Sequence, residues 1–380
     1  MVRKVKMKEK SDKLSKLAIA CGGTGGHFYP GLTLARNFKD QGGSPLLLLS
    51  GKHTESQAET AKSYGINSVI IPSSPRPRNI KSAIVFAIDL LCGVISGRKV
   101  FKIFKADAFL AMGSFASVSG ACAARSLKIP IFLHDGNARI GRANIFLSRW
   151  AKHLSLSFPA VNSNACKCPC SCSGLPVRPE LLQCRKSKAE AIKELNEKYN
   201  CTLSPDLPLL LIFGGSQGAK TFNSIIPDAL LRQEKPQLQV IHLTGAGKLE
   251  ETKNIYKKAN FPTLIQEKSD DMGILYSVAD LIFCRSGGSS ISEIAAFGKF
   301  AILVPYPYAA DKHQDDNAAY LNTGGAIVIQ DNKCTVERIS VALKDWLENV
   351  ESYSEAGKLN LALAQPDAAT ETLNKIRSYL

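Results

Sequence analysis

Two glycine-rich turns, a domain apart, constrain this chain more than any other feature. Leu17-Ala-Ile-Ala-Cys21 runs into Gly22-Gly-Thr-Gly-Gly-His27, and Leu209-Leu-Leu-Ile-Phe213 runs into Gly214-Gly-Ser-Gln-Gly-Ala219. In each case an apolar strand ends in glycines and opens onto a helical pattern. Such a turn lets main-chain N–H groups approach a ligand closely, and the helix behind it offers the positive end of its dipole. Two turns of this kind imply two α/β lobes facing a shared cleft.

The segments around them alternate as that reading requires. In the first half, apolar runs at 17–21, 45–50, 68–71, 108–112, 129–133 and 153–157 read as strands. Helical patterns fall at 30–40, 56–64 and 81–104, with a proline-rich loop at 72–77. Pro30 suits a first helical turn, so the first helix is expected to begin there. The second half repeats the rhythm, with strands at 209–213, 239–243, 263–266, 281–284 and 301–304 and a charged helix at 187–199. Continuous apolar strands separated by helices predict parallel sheets covered on both faces. The fold class is therefore α/β, two doubly wound Rossmann-like domains with ligands at the carboxyl ends of the strands. The expected division is a basic tail at 1–16, an N-terminal domain at 17–178 and a C-terminal domain at 179–363.

The net charge of +15 points to an anionic partner. The excess starts in the tail, where Arg3, Lys4, Lys6, Lys8, Lys10, Lys13 and Lys16 outweigh Glu9 and Asp12. The tail reads as solvated, with attraction to an anionic membrane as the alternative. No apolar region precedes the first strand, so no secretory signal is expected, and no run approaches the length of a membrane span. Eleven cysteines without a signal imply reduced thiols. Cys166-Lys-Cys-Pro-Cys-Ser-Cys172 lacks the spacing of structural zinc and reads as a short extended stretch.

Neither turn is a standard cofactor fingerprint. A dinucleotide loop needs an acid on the tip of the second strand, and here that tip is Ser50-Gly51-Lys52. A phosphate loop needs Gly-Lys-[Ser/Thr], and Ala219 separates Gly218 from Lys220. A third segment, Cys284-Arg-Ser-Gly-Gly-Ser-Ser-Ile-Ser-Glu293, again follows an apolar strand. Gly287, Gly288, Ser289 and Ser290 would present amides and hydroxyls at a helix mouth, an anion site suited to a diphosphate. Glu293, one turn inside, reads equally as a ligand for a ribose diol or as a capping-box carboxylate paired with Ser290.

These segments carry a family resemblance. The 22–31 and 213–223 motifs, Asp270-Asp271-Met272, the 284–298 segment, Pro305-Tyr-Pro-Tyr with Asp311, His313, Gln314 and Asn317, and Pro366-Asp-Ala-Ala-Thr-Glu371 resemble, in order, the MurG family. That family comprises the N-acetylglucosaminyltransferases that act on undecaprenyl-diphospho-muramoylpentapeptide in peptidoglycan synthesis. The resemblance implies the GT-B fold, with the helix at about 364–380 crossing back onto the first lobe. It also implies UDP-N-acetylglucosamine as donor, a lipid-linked muramyl-pentapeptide as acceptor, no cofactor, and a peripheral place on the cytoplasmic face of the plasma membrane.

Site roles follow from the same resemblance. Ser216 and the amides of Gly288, Ser289, Ser290, Ile291, Ser292 and Glu293 would hold the diphosphate, Glu293 the ribose and Gln314 the sugar hydroxyls. The backbone of Ser269 would read the uracil edge, although a bulky aliphatic residue is usual there. Arg178 matches a donor-contacting arginine. Thr24, Gly25 and Gly26 would face the acceptor, and His27 would serve as general base, with a helix-capping or phosphate-binding role as its alternative. His134-Asp135-Gly136-Asn137 departs from the family's His-Glu-Gln-Asn, so only His134 and Asn137 transfer as substrate contacts. The 83–95 stretch, rimmed by Lys81, Arg98, Lys99, Lys102 and Lys105, reads as a membrane-facing helix or as a core-packed one. A UDP-N-acetylglucosamine 2-epimerase and a non-catalytic nucleotide-binding module stand as rival functions. Nucleic acid is not expected, because no aromatic residues interleave with a basic stripe.

Overall fold

The computed structural model describes residues 14–51, 53–73, 79–215, 218–233 and 236–380, without the side chains of 80–82 and 116. The tail residues 1–13, most of the proline-rich loop and Ser216 therefore lie outside the described residues. The chain forms two compact units. One runs to Gly136 and takes in Ile140–Pro176 and Asp367–Leu380; the other comprises Asn137–Arg139 and Val177–Pro366.

The first unit is built on β1 (Lys16–Ala20), β2 (Ser44–Leu49), β3 (Asn67–Ile70), β4 (Ala108–Ala111), β5 (Ile131–Asp135), β6 (His153–Leu156) and β7 (Cys170–Cys172). Their order is β3-β2-β1-β4-β5-β6-β7, with every neighbouring pair parallel. Chain direction across the sheet reverses beside β1, so the loops after β1 and β4 diverge and leave a crevice at their carboxyl ends. Both faces are covered. Phe28, Leu32, Ala35 and Phe38 of the helix Gly25–Asp40 share one core with Ala369, Leu373 and Ile376 of the last helix, Ala368–Ser378. Phe101, Ala121, Ala124 and Leu147 build the other. The last helix is thus part of the first unit, as the resemblance implied.

The second unit holds β8 (Leu209–Phe213), β9 (Gln239–Leu243), β10 (Thr263–Gln266), β11 (Leu281–Cys284), β12 (Ala301–Leu303) and β13 (Ala326–Val328). They are parallel, in the order β10-β9-β8-β11-β12-β13, and the reversal falls between β8 and β11. Phe222, Ile226, Phe283, Ile339, Leu343 and Trp346 fill its main core. The charged helix Lys188–Tyr199 begins with a capping box in which Ser187 and Glu190 satisfy each other's backbone N–H groups.

Three sequence expectations are corrected here. The first helix starts at Gly25, not Pro30, so the glycine-rich segment is its opening turn. The edge strand β13 extends the second sheet beyond the expected set, whereas β7 falls within the stretch expected to be extended. Glu293 is not a capping-box residue, because the cap of its helix, Gly288–Phe297, is Gly287.

The long helix Ile80–Phe104 packs through glycine. A Cβ at Gly93 would lie 2.8 Å from Ser119 Cβ, and one at Gly97 would lie 3.0 Å from Ala123 Cβ. These two positions, one turn apart, bring the helix close against Val118–Ser126. The opposite face holds Ile84, Val85, Ile88, Leu91 and Ile95, each more than half exposed. The helix is therefore core-packed on one side only.

Candidate active site

In the first unit, the candidate residues gather at the carboxyl ends of β1, β4 and β5. Thr24 caps the first helix in an extended conformation without using its side chain, and its carbonyl accepts from the N–H groups of His27 and Phe28. Thr24, Gly25 and Gly26 are exposed, and His27 is half-buried. The His27 ring lies beside Gly113, whose added Cβ would come within 3.3 Å of it. His27 Nδ1 sits 2.9 Å from the Met112 carbonyl oxygen. A carbonyl only accepts, so Nδ1 carries a proton, which in the neutral ring leaves the lone pair on Nε2.

His134 is fully buried, which leaves no side-chain surface for a ligand, contrary to the contact expected of it. Its Nε2 donates to the Gly174 carbonyl at 3.1 Å. Burial lowers its pKa to about 4, the backbone bond opposing and His27 adding to the shift; the ring is neutral at neutral pH. Asp135 is also buried and structural. Its Oδ2 accepts from Gly141 N at 2.8 Å and Asn144 Nδ2 at 2.9 Å, tying the loop after β5 to the next helix.

In the second unit, the loops after β8, β9, β11 and β12 carry the candidates. Gly218 must be glycine: its φ is +63°, and a Cβ there would lie 2.0 Å from the Thr244 carbonyl oxygen. Behind this contact stands a buried relay. Tyr256 OH and Asn223 Oδ1 flank the His242 ring at 3.1 and 3.0 Å, and Asn223 Nδ2 donates to the Thr244 carbonyl at 2.9 Å. Burial lowers the His242 pKa to about 3, so a neutral ring accepts from the phenol and donates to the amide oxygen.

After β11 the chain turns at Ser286, whose Oγ donates to the Gln314 carbonyl at 2.7 Å. Asn317, fully buried, donates to the Ser286 carbonyl at 3.0 Å and to Asn137 Oδ1 at 3.1 Å, and accepts from Ala138 N at 2.8 Å. These bonds explain why Asn137–Arg139 groups with the second unit. Gln314 uses its own Oε1 to accept from Tyr306 N at 2.9 Å.

The helix Gly288–Phe297 then begins with no capping side chain and no acid in its first turn. Its first amides have no intrahelical acceptor, and its positive dipole end is uncompensated. Gly287, Gly288, Ser289, Ser290 and Ser292 are half-buried. Ile291 is different: its side chain is fully buried and its N–H donates to the Gly287 carbonyl at 3.0 Å. It is therefore removed from the expected ligand contacts.

Glu293 lies one turn further in, with its side chain 13% exposed and Oε1 3.9 Å from Arg178 Nη2. Its Oε2 accepts from the Tyr276 hydroxyl at 2.8 Å. Burial holds its carboxyl above the usual range, with Arg178 and Tyr276 pulling the other way. Ser269 is half-buried, and its Oγ accepts from Asp271 N at 3.1 Å. Two site residues were not anticipated. Arg285 donates to the carbonyls of Val304 and Pro305 and pairs with Asp331 at 2.6 Å, fixing the loop after β12. Tyr276 sits in an apolar helix, where its spacing signals only core. Among the described residues no cluster of three or more His, Cys, Asp or Glu could hold a metal ion, and the Cys166–Cys172 thiols are free.

Comparison with known proteins gives this geometry its context. Residues 17–155 match the glycosyltransferase family 28 N-terminal domain, and residues 209–372 match the family 28 C-terminal domain. A relative from Citrifermentans bemidjiense, named UDP-N-acetylglucosamine--N-acetylmuramyl-(pentapeptide) pyrophosphoryl-undecaprenol N-acetylglucosamine transferase, is 32% identical over 93% of this chain and 97% of its own length. The crystal structure of MurG from Acinetobacter baumannii superposes with a TM-score of 0.75 at 29% identity, covering 96% of this chain and 99% of that one. A UDP-GlcNAc 2-epimerase from Neisseria meningitidis shares the fold alone, at 14% identity and a TM-score of 0.66 over 95% of this chain and all of its own. With both family domains matched in order and its relatives covered almost end to end, the chain belongs to the MurG branch of glycosyltransferase family 28 and has the GT-B fold.

Proposed function

We propose that the chain transfers N-acetylglucosamine from UDP-N-acetylglucosamine to the 4-hydroxyl of a lipid-linked muramyl-pentapeptide, with inversion at the anomeric carbon. The observation that carries the donor half is the uncapped, acid-free N-terminus of Gly288–Phe297 with a carboxylate one turn inside it. The amides of Gly288, Ser289 and Ser290 hold the diphosphate and Glu293 accepts from the ribose hydroxyls, with Arg178 and Gln314 beside them. Ser216 completes the phosphate contacts in this reading, and the Ser269 main chain reads the uracil edge.

The first unit supplies the base. The His27 tautomer, set by the Met112 carbonyl, puts the lone pair on Nε2 to take the proton of the attacking hydroxyl. Thr24, Gly25 and Gly26 position the acceptor. As the bond to UDP breaks, charge grows on the β-phosphate, and the helix amides stabilise it more than they did in the ground state. Water need not enter, and no covalent intermediate is required for a single displacement.

The acceptor's lipid accounts for the apolar face of Ile80–Phe104. Ile84, Ile88, Leu91 and Ile95 recur on one face and are exposed, with Lys99 and Lys102 exposed near its end. Among the described residues no helix is long and apolar enough to cross a membrane. We assign this face to the surface of an anionic bilayer, the cytoplasmic leaflet, where apolar side chains insert and lysines meet headgroups.

One assay tests the reading: labelled UDP-N-acetylglucosamine with and without a lipid-diphosphate muramyl acceptor. Label should move into lipid only when acceptor is present. Conversion of the nucleotide sugar without acceptor would instead indicate the epimerase chemistry of the fold's other members.

A further inference from the structure

Glu293 is held by a residue no ligand would touch. Tyr276, in the helix Met272–Val278, is fully buried. Its ring meets Phe213 edge-on, with centroids 6.1 Å apart, and lies 5.2 Å from the ring of Phe297. Only its hydroxyl has polar work, donating to Glu293 Oε2 at 2.8 Å. Burial and the neighbouring carboxylate keep the phenol well above its ordinary pKa, so it stays protonated and donates to the Glu293 carboxylate.

The second carboxylate oxygen shows what this bond achieves. Oε1 stands 3.9 Å from Arg178 Nη2, inside Coulomb range but beyond hydrogen-bond distance. A buried carboxylate beside a guanidinium gains most by closing to a direct, forked pair. With Oε2 engaged by the phenol, Oε1 stays outside hydrogen-bond distance of the guanidinium. The acceptor lone pairs are thereby kept for a diol.

We propose that Tyr276 is a positioning residue that makes the donor site select a ribonucleotide over its deoxy counterpart. This rests on the reading of Glu293 as the ribose ligand. Without the phenol, Glu293 swings to Arg178, spends its acceptor capacity there, and no longer distinguishes a ribose from a sugar lacking a hydroxyl. Discrimination of this kind comes from a site built to hydrogen-bond a hydroxyl, and it is lost when the partner is misplaced.

The test is calorimetric titration of the full chain with UDP and with 2′-deoxy-UDP. Wild type should prefer UDP by about tenfold or more, the size of one hydrogen bond to a charged group. Tyr276→Phe keeps the ring and its packing and should cut the preference by about tenfold, whatever affinity both nucleotides lose together as Arg178 turns from the donor to Glu293. Glu293→Asp, which withdraws the carboxylate from the phenol and keeps its charge, should lose the preference too. Because each ratio is taken within one preparation, partial unfolding lowers the binding stoichiometry and not the ratio. If Tyr276→Phe retains the wild-type preference while Glu293→Gln loses it, the positioning role is wrong and the ribose reading stands. If Glu293→Gln also retains it, the ribose reading itself fails, and the proposal with it.

Discussion

Gly218 and Gly215 offer a matched pair of substitutions that separates backbone conformation from contact. Both have positive φ, +63° and +83°, so alanine at either is strained by roughly 1–2 kcal/mol. They differ in surroundings. Among the described residues an added methyl at Gly215 meets nothing within 4 Å, whereas at Gly218 it would lie 2.0 Å from the Thr244 carbonyl oxygen and 3.0 Å from Gly245 Cα. That oxygen cannot retreat freely, because Asn223 holds it through the His242 relay. The turn must move instead, by about 1 Å, a displacement that can cost about a hundredfold in rate at a preorganised site. Gly215→Ala should therefore lower the melting temperature by about 2–8 °C and leave kcat/KM for UDP-N-acetylglucosamine within a few-fold of wild type. Gly218→Ala should lower it at least as much and cut kcat/KM by about a hundredfold. Scanning calorimetry and initial-rate kinetics on the two variants decide it. Equal kcat/KM for both would refute the argument that this contact places the donor turn.

Three further outcomes follow from the same geometry. His27→Ala should lower kcat by about 10²–10⁴ while leaving the KM for UDP-N-acetylglucosamine near wild type, read from initial rates. Glu293→Gln should bind UDP poorly yet melt higher than wild type at neutral pH. Because burial raises the folded-state pKa of Glu293, its stability contribution is present below the ordinary carboxylate range and is lost as pH rises through the raised value. The melting advantage of the glutamine variant should accordingly vanish in acid, as thermal scans across pH would show. Leu373→Ala, at a fully buried position of the last helix, should destabilise the first unit by about 2–5 kcal/mol in denaturant titration.

Much of the fold was legible because the central strands are continuous apolar runs. The strand 209–213 is fully buried on both faces, and nothing in its sequence competes with that reading. The edges were less visible. Cys170–Cys172 and Ala326–Val328 are three residues each and only partly buried, so they show no periodicity. Pro30 misplaced the first helix because a proline that suits an opening turn is also tolerated in the second, where only one hydrogen bond is lost. The loops proposed to hold the donor announced themselves through glycine and serine. The groups that hold them did not: Tyr276 and Glu293 lie on different helices, 17 residues apart, and Arg285 finds Asp331 from 46 residues away. Spacing along the chain carries no signal for such pairs. His134 failed in the opposite sense, since a polar residue in a family motif gave no hint that its ring is fully buried.

The most direct measurement is a crystal structure of the full chain with UDP. The account expects the diphosphate against the main-chain amides of Gly288, Ser289 and Ser290, and the ribose hydroxyls on Glu293. Density for the nucleotide elsewhere, with that helix N-terminus occupied only by solvent, would contradict it.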